Sequence, residues 1–279
     1  MNTCIKWLAI LLAGVTLNAG AVIFTDGTTY GYPAGSMGVR DGTTDNIVGD
    51  GGSYPSLTAD YLLLSSGSTL TVATNGTVTA NFAYYIGDGA SGSRLVLQSG
   101  STLSFGGNVY IGDDSNGNVM EIQRGAAVSI ASTLEIGRGS GTGNSLILGE
   151  DISGFSAMYI DNGNTIAFDG GTSASTWFSF SSGALVEITG SYGVGDELVA
   201  ANGAGAQDWN ELLTIFNAAG AAKGYVFDLT TANATGVNSI IVAAVPEPAS
   251  VLMLVIGAGT LGLNRRRLHK ETRPEELRA

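Results

Sequence analysis

The sequence predicts an all-β protein, a parallel β-solenoid with coils of about 25 residues. A repeat is the first observation behind this. Ile86-Gly87, Ile111-Gly112 and Ile136-Gly137 follow one another at 25-residue intervals, and Tyr85-Ile86-Gly87-Asp88 returns as Tyr110-Ile111-Gly112-Asp113. Gly100-Ser101-Thr102-Leu103-Ser104-Phe105 is matched by Gly125-Ala126-Ala127-Val128-Ser129-Ile130, with an earlier partial copy at Gly67-Ser68-Thr69-Leu70-Thr71-Val72. That period is too short for a four-stranded propeller blade and suits one coil of about three short strands. Alternation is the second observation. Tyr84/Ile86, Leu95/Leu97 and Leu103/Phe105 are apolar at every other position, as are Val109/Ile111, Met120/Ile122 and Val128/Ile130 one period later. Alternate residues of a strand face opposite sides, so these point inward, while Tyr85, Val96, Ser104, Tyr110, Glu121 and Ser129 point outward. The third is composition. With 42 glycines, 5 prolines and no Gly-X-Y period, the chain fits short strands joined by tight turns and not collagen.

Taken in order, residues 1–21 read as a signal peptide. Lys6 supplies the positive end, 7–17 the apolar run, and Ala19-Gly20-Ala21 the small-residue cleavage region. The chain's only cysteine, Cys4, lies inside this peptide, so the exported part has no thiol or disulfide. Residues 22–60, rich in Gly and Asp, are expected to cap the solenoid at its N-terminal end. The repeats occupy 61–206; their register fades after Leu148, with Met158/Ile160 and Ile166/Phe168 continuing it loosely. A C-terminal cap is expected over 207–244. Within it a helix spans 207–220, with Asp208 as N-cap and Glu211 three residues on, and closing strands cover 224–229 and 239–242.

Residues 245–267 have three parts. Pro246-Glu247-Pro248 is a short polar motif, 249–263 is an uncharged apolar run, and Arg265-Arg266-Arg267 is a basic stop. As a single transmembrane helix the run is about 22 Å long against roughly 30 Å of hydrocarbon, so it spans with tilt or local thinning. The arginines hold its end on the cytoplasmic side, leaving 268–279 as a cytoplasmic tail. An ordinary single-pass anchor has the same parts. The arrangement of Pro246-Glu247-Pro248, the apolar run and Arg265-Arg266-Arg267 also resembles the PEP-CTERM sorting signal of bacterial exported proteins. That resemblance implies passage through the export machinery, inner-membrane anchoring before processing, cleavage near the motif by an exosortase-type membrane protease, and a final place at the cell surface or outside the cell. Residues 61–170, through Tyr85-Ile86-Gly87-Asp88-Gly89 and its copy, are similar to repeats shared by PEP-CTERM proteins and autotransporter passengers. This second likeness implies a parallel β-solenoid and an extracellular setting, and no reaction.

Charge and residue inventory narrow the chemistry. Residues 22–244 hold 20 acidic and 5 basic side chains, a net charge of −15, which excludes nucleic acid as a partner because phosphate binding needs clustered Lys and Arg. The single histidine, His269, falls in the tail, so the exported part has no Ser-His-Asp or Cys-His arrangement. Cofactors and resident metals are not expected. Asp113-Asp114-Ser115-Asn116-Gly117-Asn118 is rich in hard oxygen ligands, but it lacks the order of a calcium-binding EF-hand loop and reads first as a turn. Glu121 and Glu135 are outward carboxylates of the kind a glycosidase pairs, with solvated surface as the plainer reading. Tyr85, Tyr110 and Tyr159 form an outward column broken by Glu135, either cross-strand packing or a sugar platform. Thr69/Thr71 and Thr77/Thr79 resemble ice-binding rows, without repetition in the next coils. The expected role is therefore structural or adhesive, at the cell surface or in an exopolysaccharide matrix, without catalysis. The rivals are a polysaccharide lyase or hydrolase and a carbohydrate-binding protein on the same scaffold.

Overall fold

The computed structural model describes residues 25–26, 36–39 and 46–244, apart from 53, 66, 156, 176–177, 202–207 and 233–236. It is a parallel β-solenoid whose coils turn through three faces. Face one is a seven-stranded parallel sheet among the described residues: Asn46–Val48, Thr69–Val72, Arg94–Leu97, Val119–Ile122, Ser145–Leu148, Thr165–Phe168 and Leu185–Ile188. Face two stacks 77–80, Thr102–Phe105, Ala127–Ile130, Ile152–Phe155, Ser173–Ser175 and Glu197–Ala201. Face three stacks 83–86, Asn108–Ile111, Thr133–Ile136, Ala157–Ile160 and Phe178–Phe180. The long strand Thr77–Ile86 serves faces two and three in succession and pairs with Ser56–Leu64 of the coil before it. Ser36–Val39 in turn pairs in parallel with 61–64, so coil-to-coil pairing is established upstream of residue 61.

The period-two pattern puts the core where the alternation predicts. Every inward residue named from the sequence is buried, from Tyr84 and Ile86 through Val128 and Ile130 to Ile166 and Phe168. Fully burying such a side chain contributes about 1.5–3 kcal/mol, and each coil brings several, which no single coil achieves alone. On face one the in-register stacking is strict: Leu95 lies beside Met120, and Met120 beside Leu146.

The register does not end at Leu148. Face-one strands begin at 69, 94, 119, 145, 165 and 185, so the coil shortens from 25 or 26 residues to 20. Most of the loss falls in the corner from face three to face one, which goes from 87–93, 112–118 and 137–144 to 161–164 and 181–184. The strands keep their pairing while the sequence period changes, and a 25-residue comparison loses them there.

The open end of the core is closed by helix α1, Trp209–Gly220. Asp208 caps it by accepting from Asn210 N at 2.9 Å, satisfying one of the free N–H groups of the first turn. Leu212 and Phe216 are buried, and Phe216 packs 5.4 Å from Phe168 and 5.7 Å from Phe227 between ring centroids. Val226–Ala232 and Val237–Ala243 then form an antiparallel pair. The second of these also pairs antiparallel with Glu197–Ala201, so the hairpin covers the last parallel edge of face two.

Candidate functional site

The corner between faces three and one is the most elaborately bonded part of the surface, and its geometry begins inside. Asn118, Asn144 and Asn164 each immediately precede a face-one strand and are fully buried. Asn118 Oδ1 accepts from Ser93 N at 2.8 Å. Asn144 Oδ1 accepts from both Asn118 N and Asn118 Nδ2 at 2.9 Å. Asn164 Oδ1 accepts from Asn144 N at 2.9 Å and Asn144 Nδ2 at 3.0 Å. This internal ladder was not read from the sequence. Its signal is present as Ser68, Ser93, Asn118, Asn144 and Asn164, the residue before the strand in five successive coils.

The ladder explains the most visible repeat of the chain. Gly87, Gly112 and Gly137 have φ of +83°, +83° and +86°, and a Cβ on each would fall within 2.2 Å of Asn118, Asn144 and Asn164 respectively. The glycine of each Ile-Gly pair leaves room for the amide of the next coil.

Outside the ladder, the oxygen-rich loop is committed to its neighbours. Asp114 Oδ1 accepts from Ser140 N at 3.1 Å, Asn116 Oδ1 accepts from Thr142 N at 2.8 Å, and Ser115 Oγ donates to Gly87 O. Asp113 pairs with Arg138 at 3.5 Å. Coil-to-coil bonds thus engage the side chains that would otherwise serve as calcium ligands. Among the described residues no three His, Cys, Asp or Glu side chains converge as a metal site.

Face three carries the aromatic column. Tyr85 and Tyr110 are register partners and stack at 4.9 Å and 24°, and Glu135 lies between Tyr110 and Tyr159 in register. The Arg138 guanidinium sits 4.6 Å above the Tyr110 ring. With Tyr85 against one side and Arg138 over the ring as well, Tyr110 is packed rather than presented to a sugar. Asp113 and Glu135 both act on this arginine, and Asp113 in turn acts on Asp88. Burial raises Asp88, with Asp113 adding to it. Burial raises Asp113 against the pull of Arg138. Burial and then Asp161 raise Glu135 above the ordinary carboxylate range.

The two carboxylates considered for hydrolysis are not brought together. Glu121 lies on face one, ion-paired with Arg94 and accepting from Gln123 Nε2 at 2.9 Å, whereas Glu135 lies on face three. The threonine rows divide as well. On face one Thr69 and Thr71 are followed by Arg94 and Val96, while on face two Thr77 and Thr79 do continue, as Thr102/Ser104 and then Ala127/Ser129.

The region with a recognisable address is the C-terminal one. Residues 244–267 match the PEP-CTERM protein-sorting motif, a span that contains Pro246-Glu247-Pro248 and Arg265-Arg266-Arg267. The motif implies an exported protein sorted by an exosortase. No curated protein and no solved structure matches the chain. The sorting residues, the apolar run 249–263 and Ala19-Gly20-Ala21 lie outside the described residues. Among the described residues no helix is long and apolar enough to cross a membrane.

Proposed function

We propose that this protein is a noncatalytic structural or adhesive component of the bacterial surface or its exopolysaccharide matrix. Its tail 249–263 holds it in the inner membrane until the chain is cut near Pro246-Glu247-Pro248. The observation that carries this reading is the sorting motif, which starts at residue 244, one residue beyond the closing strand of a β-solenoid. The solenoid's surface supports it. Its acidic and amide side chains mostly hold one coil to the next, an investment in rigidity. The tyrosine column is stacked on itself and under Arg138, which favours packing over sugar stacking.

Mass spectrometry of protein recovered from its host tests the processing. The expected C-terminus lies near Pro248 and the Arg265–Arg267 peptide is missing; a full tail in the membrane fraction would make the motif a plain anchor. Incubation with a panel of acidic and neutral polysaccharides tests the role. Retention without chain shortening is expected. Shortening that is lost in Glu121→Gln or Glu135→Gln would replace this reading with an enzymatic one.

A further inference from the structure

Among the large apolar side chains exposed in the described residues, the most exposed is Val194, at 70 %. It sits at the tip of the turn Gly193-Val194-Gly195-Asp196, where turn chemistry ordinarily places Gly, Asn or Asp. The turn is well bonded. Asp196 N donates to Gly193 O at 3.1 Å, and Gly193 N donates back to Asp196 Oδ2 at 2.6 Å. It is also fixed to the last strand of the cap, since Gly195 N donates to Val242 O at 2.8 Å and Val242 N to Asp196 O at 2.9 Å. On the other flank of that strand Ala243 is in register with Val226, itself 40 % exposed. Two exposed valines therefore flank the strand end from which the chain departs. The departing chain is short: the five steps from Ala244 to Ala249, where the apolar run begins, reach at most about 17 Å.

We propose that this apolar tip rests on the lipid surface and seats the cap against the bilayer while the tail is still attached. The proposal rests on the reading that 249–263 enters the membrane. Lipid is the occupant the chemistry favours. The exported part carries a net charge of −15, so attraction to anionic headgroups is unavailable and a seat must be made by apolar contact. The tip offers that contact, because the Asp196 carboxylate is turned back onto Gly193 N and the valine stands between two glycines. Seating would also hold Pro246-Glu247-Pro248 at the height where a membrane protease works.

The test uses the full chain with Cys4→Ser and a single labelled cysteine, at Val194→Cys, Val226→Cys or Phe82→Cys. Phe82 is 56 % exposed and lies several coils from the cap. The chain is reconstituted into phosphatidylcholine vesicles with and without lipid brominated on its acyl chains. Labels at 194 and 226 are expected to lose about half their fluorescence to brominated lipid, as for groups that reach the headgroup–acyl boundary, with the label at 82 unchanged. Chain that floats with the vesicles but shows no quenching at 194 or 226 overturns the lipid seat and leaves the membrane reading intact. Chain that does not float overturns the membrane reading and the seat with it. Quenching that requires added membrane protease assigns the tip to the protease and likewise overturns the seat.

Discussion

At Gly87, Gly112 and Gly137 a single added atom would collide with the asparagine ladder. Gly112 is the clearest: its φ is +83°, and an added Cβ would lie 2.2 Å from the Asn144 amide. Gly112→Ala is expected to cost at least about 1–2 kcal/mol from the left-handed backbone alone, with the displaced ladder adding to it. Urea titration of the variant against the parent checks this. Asn144→Ala takes away the acceptor of Asn118 N and Asn118 Nδ2, leaving buried donors unpaired, and a loss of about 2–5 kcal/mol is expected by the same measurement. Tyr84 runs the other way. Its ring is useful, stacked 4.8 Å from Phe105, but its hydroxyl is buried without a partner, and burial drives its pKa upward. Tyr84→Phe keeps the ring and is expected to stabilise by about 1 kcal/mol, seen as a raised unfolding midpoint. The inward position of Tyr84 is plain from alternation. The lack of a partner for its hydroxyl is not, because it depends on what the neighbouring coils place around that atom.

At the scale of elements, the strands were legible and the corners were not. Leu95, Met120 and Leu146 share a column because pairing repeats the same apolar position, and alternation alone reveals it. Corners obey no such period. When 137–144 gives way to 161–164, four residues vanish while the face-one strands keep their length and register, so the 25-residue repeat dissolves although the sheets continue to Ile188. Glu121 and Glu135 show the same blind spot: the sequence marks both as outward, and only the two corners between them, on either side of Ala127–Ile130, send one to face one and the other to face three. The ladder asparagines hide in those corners too, with serine in their place at the early coils. The capping helix was legible, since Asp208 with Glu211 three residues on announces it. Its importance follows from what it covers. Phe216→Ala is expected to cost about 3–5 kcal/mol and to open the last coils first. Hydrogen exchange should then rise at Phe178–Phe180 and Leu185–Ile188 before it rises at Arg94–Leu97.

For the molecule as a whole, acidity sets how stability responds to pH. Asp88, Asp113 and Glu135 all have folded pKa values raised by burial, so between the ordinary and the raised values the folded chain binds more protons than the unfolded one. Stability therefore falls as pH rises through that window, and the gain from protonation is fully present below it. The unfolding temperature is expected to climb as pH is lowered through the range just above the ordinary carboxylate pKa of about 4, and Glu135→Gln should flatten part of that slope. A slope of opposite sign in the parent would remove these carboxylates from the account. The closing strand Val237–Ala243 has a mechanical meaning as well. It is bonded along both flanks, to Glu197–Ala201 and to Val226–Ala232, and the tail leaves from its end. Were the tail anchored as proposed, tension on it would enter the domain along this strand and load its bonds together, in shear, where peeling from an edge would break them one after another. The cap would then bear the drag first, and the coils behind it would keep their pairing for as long as that one strand holds.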